Sequence, residues 1–138
     1  MDREVIEQKL ESLRRCLQRV AEKCPSDPDT LGRDPDLQDI VTLNLTRAVQ
    51  LCVDLGAHLI ADMDVPPPDT MGQTFDALAH AGAISESLAQ QLKKSVGFRN
   101  IAVHHYEEID WTIVHRIALH HLSDFTEFAK VIASRLAR

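Results

Sequence analysis

Nowhere in these 138 residues does an apolar run approach the roughly 20 positions that a membrane-crossing helix needs. The opening MDREVIEQKLESLRR is charged from its second residue and has no signal-peptide core, so neither export nor membrane insertion is expected. Cysteine is sparse. Cys16, Cys24 and Cys52 lack metal-ligand spacing and an even count, which fits reduced thiols in a cytoplasm better than a disulfide framework. Strand-type alternation is missing throughout, as is any long internal repeat. The few glycines are scattered, and GQTFDALAHAG has no phosphate-loop spacing. Positive charge is in deficit too. A net charge of −6 excludes a generic nucleic-acid coat, which is held on by clustered lysine and arginine.

What is present is helical periodicity. Ile6, Leu10, Leu13, Leu17 and Val20 recur at 4-3-4-3 spacing, one apolar stripe on a helix that stops near Cys24 and Pro25. The following PSDPDTLGRDPD, 25–36, reads as a connecting loop dense in proline and aspartate. A second helix starts near Asp36, carries Leu37, Val41, Leu45, Ala48, Cys52, Leu55 and Leu59, and is broken by DVPPPDT. Asp69 or Thr70 caps the short helix after it, in which Phe75, Leu78 and Ala79 face inward. Ser85 opens a further helix through Leu88, Leu92, Val96 and Val103. Asp110 opens the last, which runs unbroken from Trp111 to Leu136 with a second apolar line of Ile113, Ile117 and Val131. So broad a stripe means a deep core or a subunit interface. The expectation is an all-α chain, one domain over 1–138, folded as an antiparallel bundle of four long helices plus one short one.

The stretch VGFRNIAVHHYEEID, 96–110, gathers an arginine, an asparagine, two histidines and a tyrosine within eight positions. From 88 to 106 the only charged side chains apart from histidine are Lys93, Lys94 and Arg99, a local basic strip in an acidic protein. Arg99 and His104 lie five apart, about 140° around an ideal helix, so they converge only if the helix unwinds or the long arginine reaches across. Asn100 is four before His104 and shares its face.

If these groups meet at a phosphodiester, they suffice for metal-free RNA cleavage. Histidine titrates near neutral pH and can carry a proton, arginine offers planar donors to phosphate oxygens, and the RNA's 2′-hydroxyl is its own nucleophile. The plain alternative is a helix-end histidine beside a surface arginine.

Other residues divide the same way. Asp54 and His58 sit i, i+4 on the second helix, either a support for the site or a local helix pair. Arg47, with Lys93 and Lys94, either contacts RNA phosphates or pairs with an acid. Asn44 is expected to fix helix register, and Trp111 to anchor the last helix in the core. The histidine doublets at 104–105 and 120–121 point to different sides with no i, i+4 histidine pair, so no metal site and no cofactor are expected.

RNIAVHHY, 99–106, resembles the Arg-Asn-x-x-x-His-x-Tyr signature of the HEPN superfamily, in particular its HepT-like toxins. Residues 45–85 and the order of helices are similar to that family as well. The resemblance implies an all-α homodimer, with Arg99 and His104 as the catalytic pair of a metal-independent ribonuclease and Asn100 in support. It further implies a cognate MntA-like nucleotidyltransferase antitoxin that transfers AMP to Tyr106 (AMPylation). A non-catalytic helical module that binds nucleotide or a partner, working with a nucleotidyltransferase, is the alternative. His104 separates the two, since proton transfer requires it and phosphate binding does not.

Overall fold

The computed structural model describes residues 2–137. Helix α1 (Arg3–Lys23) is followed by α2 (Pro28–Arg33), α3 (Pro35–Ala61), α4 (Met71–His80) and α5 (Glu86–His104). A 3-10 turn (Tyr106–Glu108) leads into α6 (Trp111–His120) and α7 (Leu122–Leu136). The described residues contain no strand.

Short polar side chains start most of these helices. Asp2, Asp27, Asp34, Thr70, Ser85 and Asp110 each accept a hydrogen bond from a first-turn backbone N–H, giving otherwise orphaned donors a partner. Pro28 and Pro35 take first-turn positions, where a missing N–H does no harm.

Two expectations need correction. The 25–36 segment is not a plain loop but contains α2, because Asp27-Pro28 and Asp34-Pro35 are both helix starts and Leu31 between them is fully buried. The last helix is not continuous either. It breaks at His121, whose backbone (φ −124°, ψ 7°) leaves the helical region, and His121 Nδ1 lies 3.2 Å from Asp124 Oδ2 in the first turn of α7. Ala118 and Phe125 lie seven positions apart, so the apolar rhythm runs straight across the break and hides it. Four long helices and one short one thus become seven α-helices among the described residues.

Helix α3 is the axis of the molecule and packs against each of the other six. Twelve of its residues are buried, from Val41 to Ile60. Its 27 residues have the length and apolarity to cross a membrane. That apolarity is accounted for by its central position, since a helix surrounded by others is hydrophobic on most sides. Against it, α4 comes unusually close. A Cβ on Gly56 would meet Thr74 Cγ2 at 2.7 Å and Leu78 Cδ1 at 3.3 Å, so the contact needs glycine. Phe75 and Phe128 meet edge to face beside it, with centroids 5.6 Å apart. Arg3 donates to the Leu136 carbonyl, tying the first helix to the last. Asn44 bonds the Ile40 carbonyl of its own helix at 2.8 Å, so its role is local rather than one of register between helices.

Candidate active site

The 96–110 stretch forms the last turns of α5, the 3-10 turn and the cap of α6. Helix α5 stays helical to His104, and His105 (φ −143°, ψ 55°) ends it. The chain has a reason to turn there: Tyr106, Glu107 and Glu108 form a tight turn, and Asp110 then accepts from the Thr112 N–H to open α6. His104 is therefore the final residue of α5, exposed and facing solvent.

Because α5 does not unwind before His104, Arg99 and His104 keep their separation of about 140° and share no hydrogen bond. Arg99 Nη1 donates instead to Asn100 Oδ1 at 3.1 Å, which steadies the guanidinium beside the amide. Within one chain the pair is thus offset by well over a right angle around the helix end, with no hydrogen bond joining them.

Tyr106 is the best-fixed member of the stretch. Its hydroxyl donates to Asp39 Oδ1 on α3 at 2.6 Å, a short contact of the kind made to a charged acceptor. Its ring meets Trp111 edge to face at 5.9 Å, so Trp111, half-buried, braces the tyrosine as well as anchoring α6. Burial pushes the Tyr106 phenol up to about 12, the Asp39 carboxylate adds to the rise, and the Thr42 hydroxyl pulls the other way. Thr42 lies one turn after Asp39, is only 5% exposed, and its Oγ1 has no hydrogen-bond partner of good geometry.

The remaining candidates scatter. Lys93 is held by Asp76 at 3.1 Å, pinning α5 to α4, and is not a free phosphate contact. Lys94 is exposed. Arg47 lies in a separate groove of about 690 Å³ between α1 and α3, with Arg15, Arg19 and Asp54 around it. Asp54 turns away from His58: it accepts from Gln50 at 3.0 Å and pairs with Lys9 at 3.5 Å. No hydrogen bond or ion pair among the described residues joins Asp54 or His58 to Arg99 or His104. His115 is a structural histidine, buried with Nε2 2.8 Å from the Pro25 carbonyl. His105, Glu107 and Glu108 bring side-chain atoms within 4.8 Å of one another, all three exposed on one turn, a spacing that could hold a metal ion but is common among exposed acidic groups without one.

Beside the site runs a groove of about 560 Å³ between α5, α6 and α7. Leu92, Phe98, Ile101, Ile113, Ile117 and Phe125 give it an apolar lining, and Lys94 and Arg116 stand among its polar residues. Ile101 and Ile113 remain 43% and 46% exposed there.

The family model described as ribonuclease HepT-like matches residues 5–132 of this chain. The chain belongs to the HepT-like family. Among its relatives is the mRNA nuclease HepT of Shewanella oneidensis, 36% identical over 94% of this chain and 96% of that protein. A putative RNase of Archaeoglobus fulgidus is 29% identical over 83% of this chain and 80% of its own length. Similar solved structures include a toxin–antitoxin complex with AMP-PNP, at TM-score 0.89 and 35% identity, covering 95% of this chain and 98% of that one. Another is a tri-AMPylated Shewanella oneidensis HEPN toxin in complex with MNT antitoxin, at TM-score 0.87 and 36% identity, covering 94% and 97%. The HepT-like fold thus accounts for the helix order. Sequence reasoning missed Asp39 as a site residue, since nothing in an aspartate 67 positions before Tyr106 marks it as the tyrosine's partner.

Proposed function

We propose that this HepT-like chain is the toxin of a toxin–antitoxin pair: a metal-independent endoribonuclease, active as a homodimer and silenced by a cognate MntA-like nucleotidyltransferase antitoxin that adenylylates Tyr106. The observation that carries the reading is the RNIAVHHY motif displayed at an exposed helix end, in a chain similar over nearly its whole length to an mRNA nuclease.

In this mechanism the RNA 2′-hydroxyl attacks the adjacent phosphorus and the 5′-oxygen of the next nucleotide leaves. His104 moves one proton, from the 2′-oxygen or to the leaving oxygen, and His104 of a second copy moves the other. Arg99, steadied by Asn100, binds the phosphorane-like oxygens. The separation of Arg99 from His104 within one chain favours a site completed by two copies. The apolar groove with Ile101 and Ile113 beside that site is a face on which a second copy can pack. Lys94, and Arg47 further away, serve as phosphate contacts along the RNA. An adenylyl group on Tyr106 places negative charge and bulk two residues from His104, repelling and blocking RNA. A cytoplasmic setting suits the three free cysteines, whose thiols burial keeps protonated.

The same separation also favours the second reading, a non-catalytic phosphate-binding module. Cleavage of a mixed RNA pool in EDTA decides between them, using protein shown by intact mass to carry an unmodified Tyr106. Wild type is expected to leave 2′,3′-cyclic phosphate ends, with His104→Ala and His104→Gln slower by about 100-fold or more, the scale of a lost proton carrier. Equal inertness of unmodified wild type and both variants would favour the binding module.

A further inference from the structure

We infer that Asp39 is the base for adenylylation of Tyr106, so that the modified chain supplies from its own central helix the carboxylate that takes the phenol proton. This rests on the reading of Tyr106 as the modification site. The hydroxyl already donates to Asp39 Oδ1 at 2.6 Å, so the proton's acceptor is in place before any partner arrives. Tyr106 is 40% exposed as a residue, so a nucleotidyltransferase carrying a nucleoside triphosphate can approach it, while Asp39 holds the proton from the α3 side.

The step balances. Tyr106 Oη forms a bond to the α-phosphorus, the bond from that phosphorus to the bridging oxygen of the β-phosphate breaks, and pyrophosphate leaves with the electron pair. The phenol proton passes to Asp39, and from this exposed carboxylate to water. A carboxylate accepting a hydroxyl proton during phosphoryl transfer is the arrangement protein kinases use for their substrate hydroxyls.

The surroundings make such a base necessary. Burial and Asp39 hold the phenol protonated well above neutral pH, so its proton must leave as the attack proceeds. Asp39 on α3 is the charged group that acts on its ionisation, and its titratable neighbours along the chain are His104, His105, Glu107 and Glu108. Thr42 completes the arrangement. Its buried hydroxyl has no acceptor of good geometry and lies beside the phenol, ready to donate to the oxygen as negative charge develops there.

The competing account makes Asp39 a mere pin holding the 105–110 turn to α3, and a pH profile separates the two. Wild type, Asp39→Asn and Thr42→Val are each incubated with the cognate nucleotidyltransferase, ATP and magnesium. AMP transfer is followed by intact mass between pH 6 and 10, with thermal unfolding measured alongside. Asparagine keeps an oxygen that accepts from the phenol but cannot take its proton. The expected result is transfer roughly 30-fold slower in Asp39→Asn at pH 7, rising about tenfold per pH unit as hydroxide or ionised phenol replaces the missing base. Thr42→Val is slower by several-fold. An Asp39→Asn protein labelled at the wild-type rate with a wild-type pH profile overturns the inference and leaves the modification reading standing. Wild type that takes up no AMP overturns both. If Asp39→Asn unfolds early, a fluorinated tyrosine of lower pKa at position 106 in that background decides. Labelling restored to within a few-fold of wild type identifies proton removal as the defect, and labelling that stays slow shows a structural pin and overturns the inference.

Discussion

Tyr106 is the only tyrosine in the chain, and its hydroxyl is tied to a residue 67 positions away. Its titration can therefore be read directly in the ultraviolet absorbance of tyrosinate. A raised folded-state pKa means that the stability contributed by the protonated phenol is complete below the ordinary value near 10 and is lost as pH rises through about 12. The expected titration midpoint is near 12 in the native protein, and in Asp39→Asn it falls but stays raised, because burial, the larger cause, remains. An Asp39→Asn midpoint equal to that of wild type would mean that the Asp39 contact is not made in solution. At this scale the sequence was informative about chemistry and silent about partners. Arg99, Asn100, His104 and Tyr106 are adjacent in the chain, so a motif could mark them. Asp39 and Thr42 meet the site only because α3 passes beneath it. Asp54 and His58 show the reverse: correct helical spacing brings two side chains to one face, but the Asp54 carboxylate accepts from Gln50 and pairs with Lys9 instead.

Among the elements, helix starts were the most legible feature, since Thr70, Ser85 and Asp110 cap as their residue types predict. Breaks that preserve the apolar rhythm were not legible. His121 ends α6 without glycine or proline, and Leu31 is a lone buried leucine inside a segment rich in turn residues. Nor could composition reveal how near two helices lie. The α3–α4 crossing depends on Gly56, and Gly56→Ala is expected to cost about 1–3 kcal/mol by forcing the buried, β-branched Thr74 aside. Thermal unfolding should show a lowered midpoint that Gly56→Ala with Thr74→Ser partly restores, because serine lacks the methyl that is struck. Two variants whose effects simply add would place the clash elsewhere.

For the molecule as a whole, the question is what covers the groove between α5, α6 and α7. If it is a second copy, Ile101→Glu or Ile113→Glu buries a charge at an apolar contact, and sedimentation should show monomers where wild type gives dimers. RNA cleavage should fall with the dimer fraction. A dimer unaffected by either change would move the contact to another face. The hub position of α3 bears on how such a protein is made. Its apolar surface is covered from one side by α1, near the start of the chain, and from the other by helices as late as α7, where Phe128 closes over Gly56 and Phe75. On the ribosome, α3 emerges with α1 and α2 already made, while the side that α4 to α7 will cover is still bare. A chain that stops before α6 and α7 lacks Trp111 beside Tyr106 and Phe128 over Gly56, and is expected to be a product for proteases and not a stray nuclease.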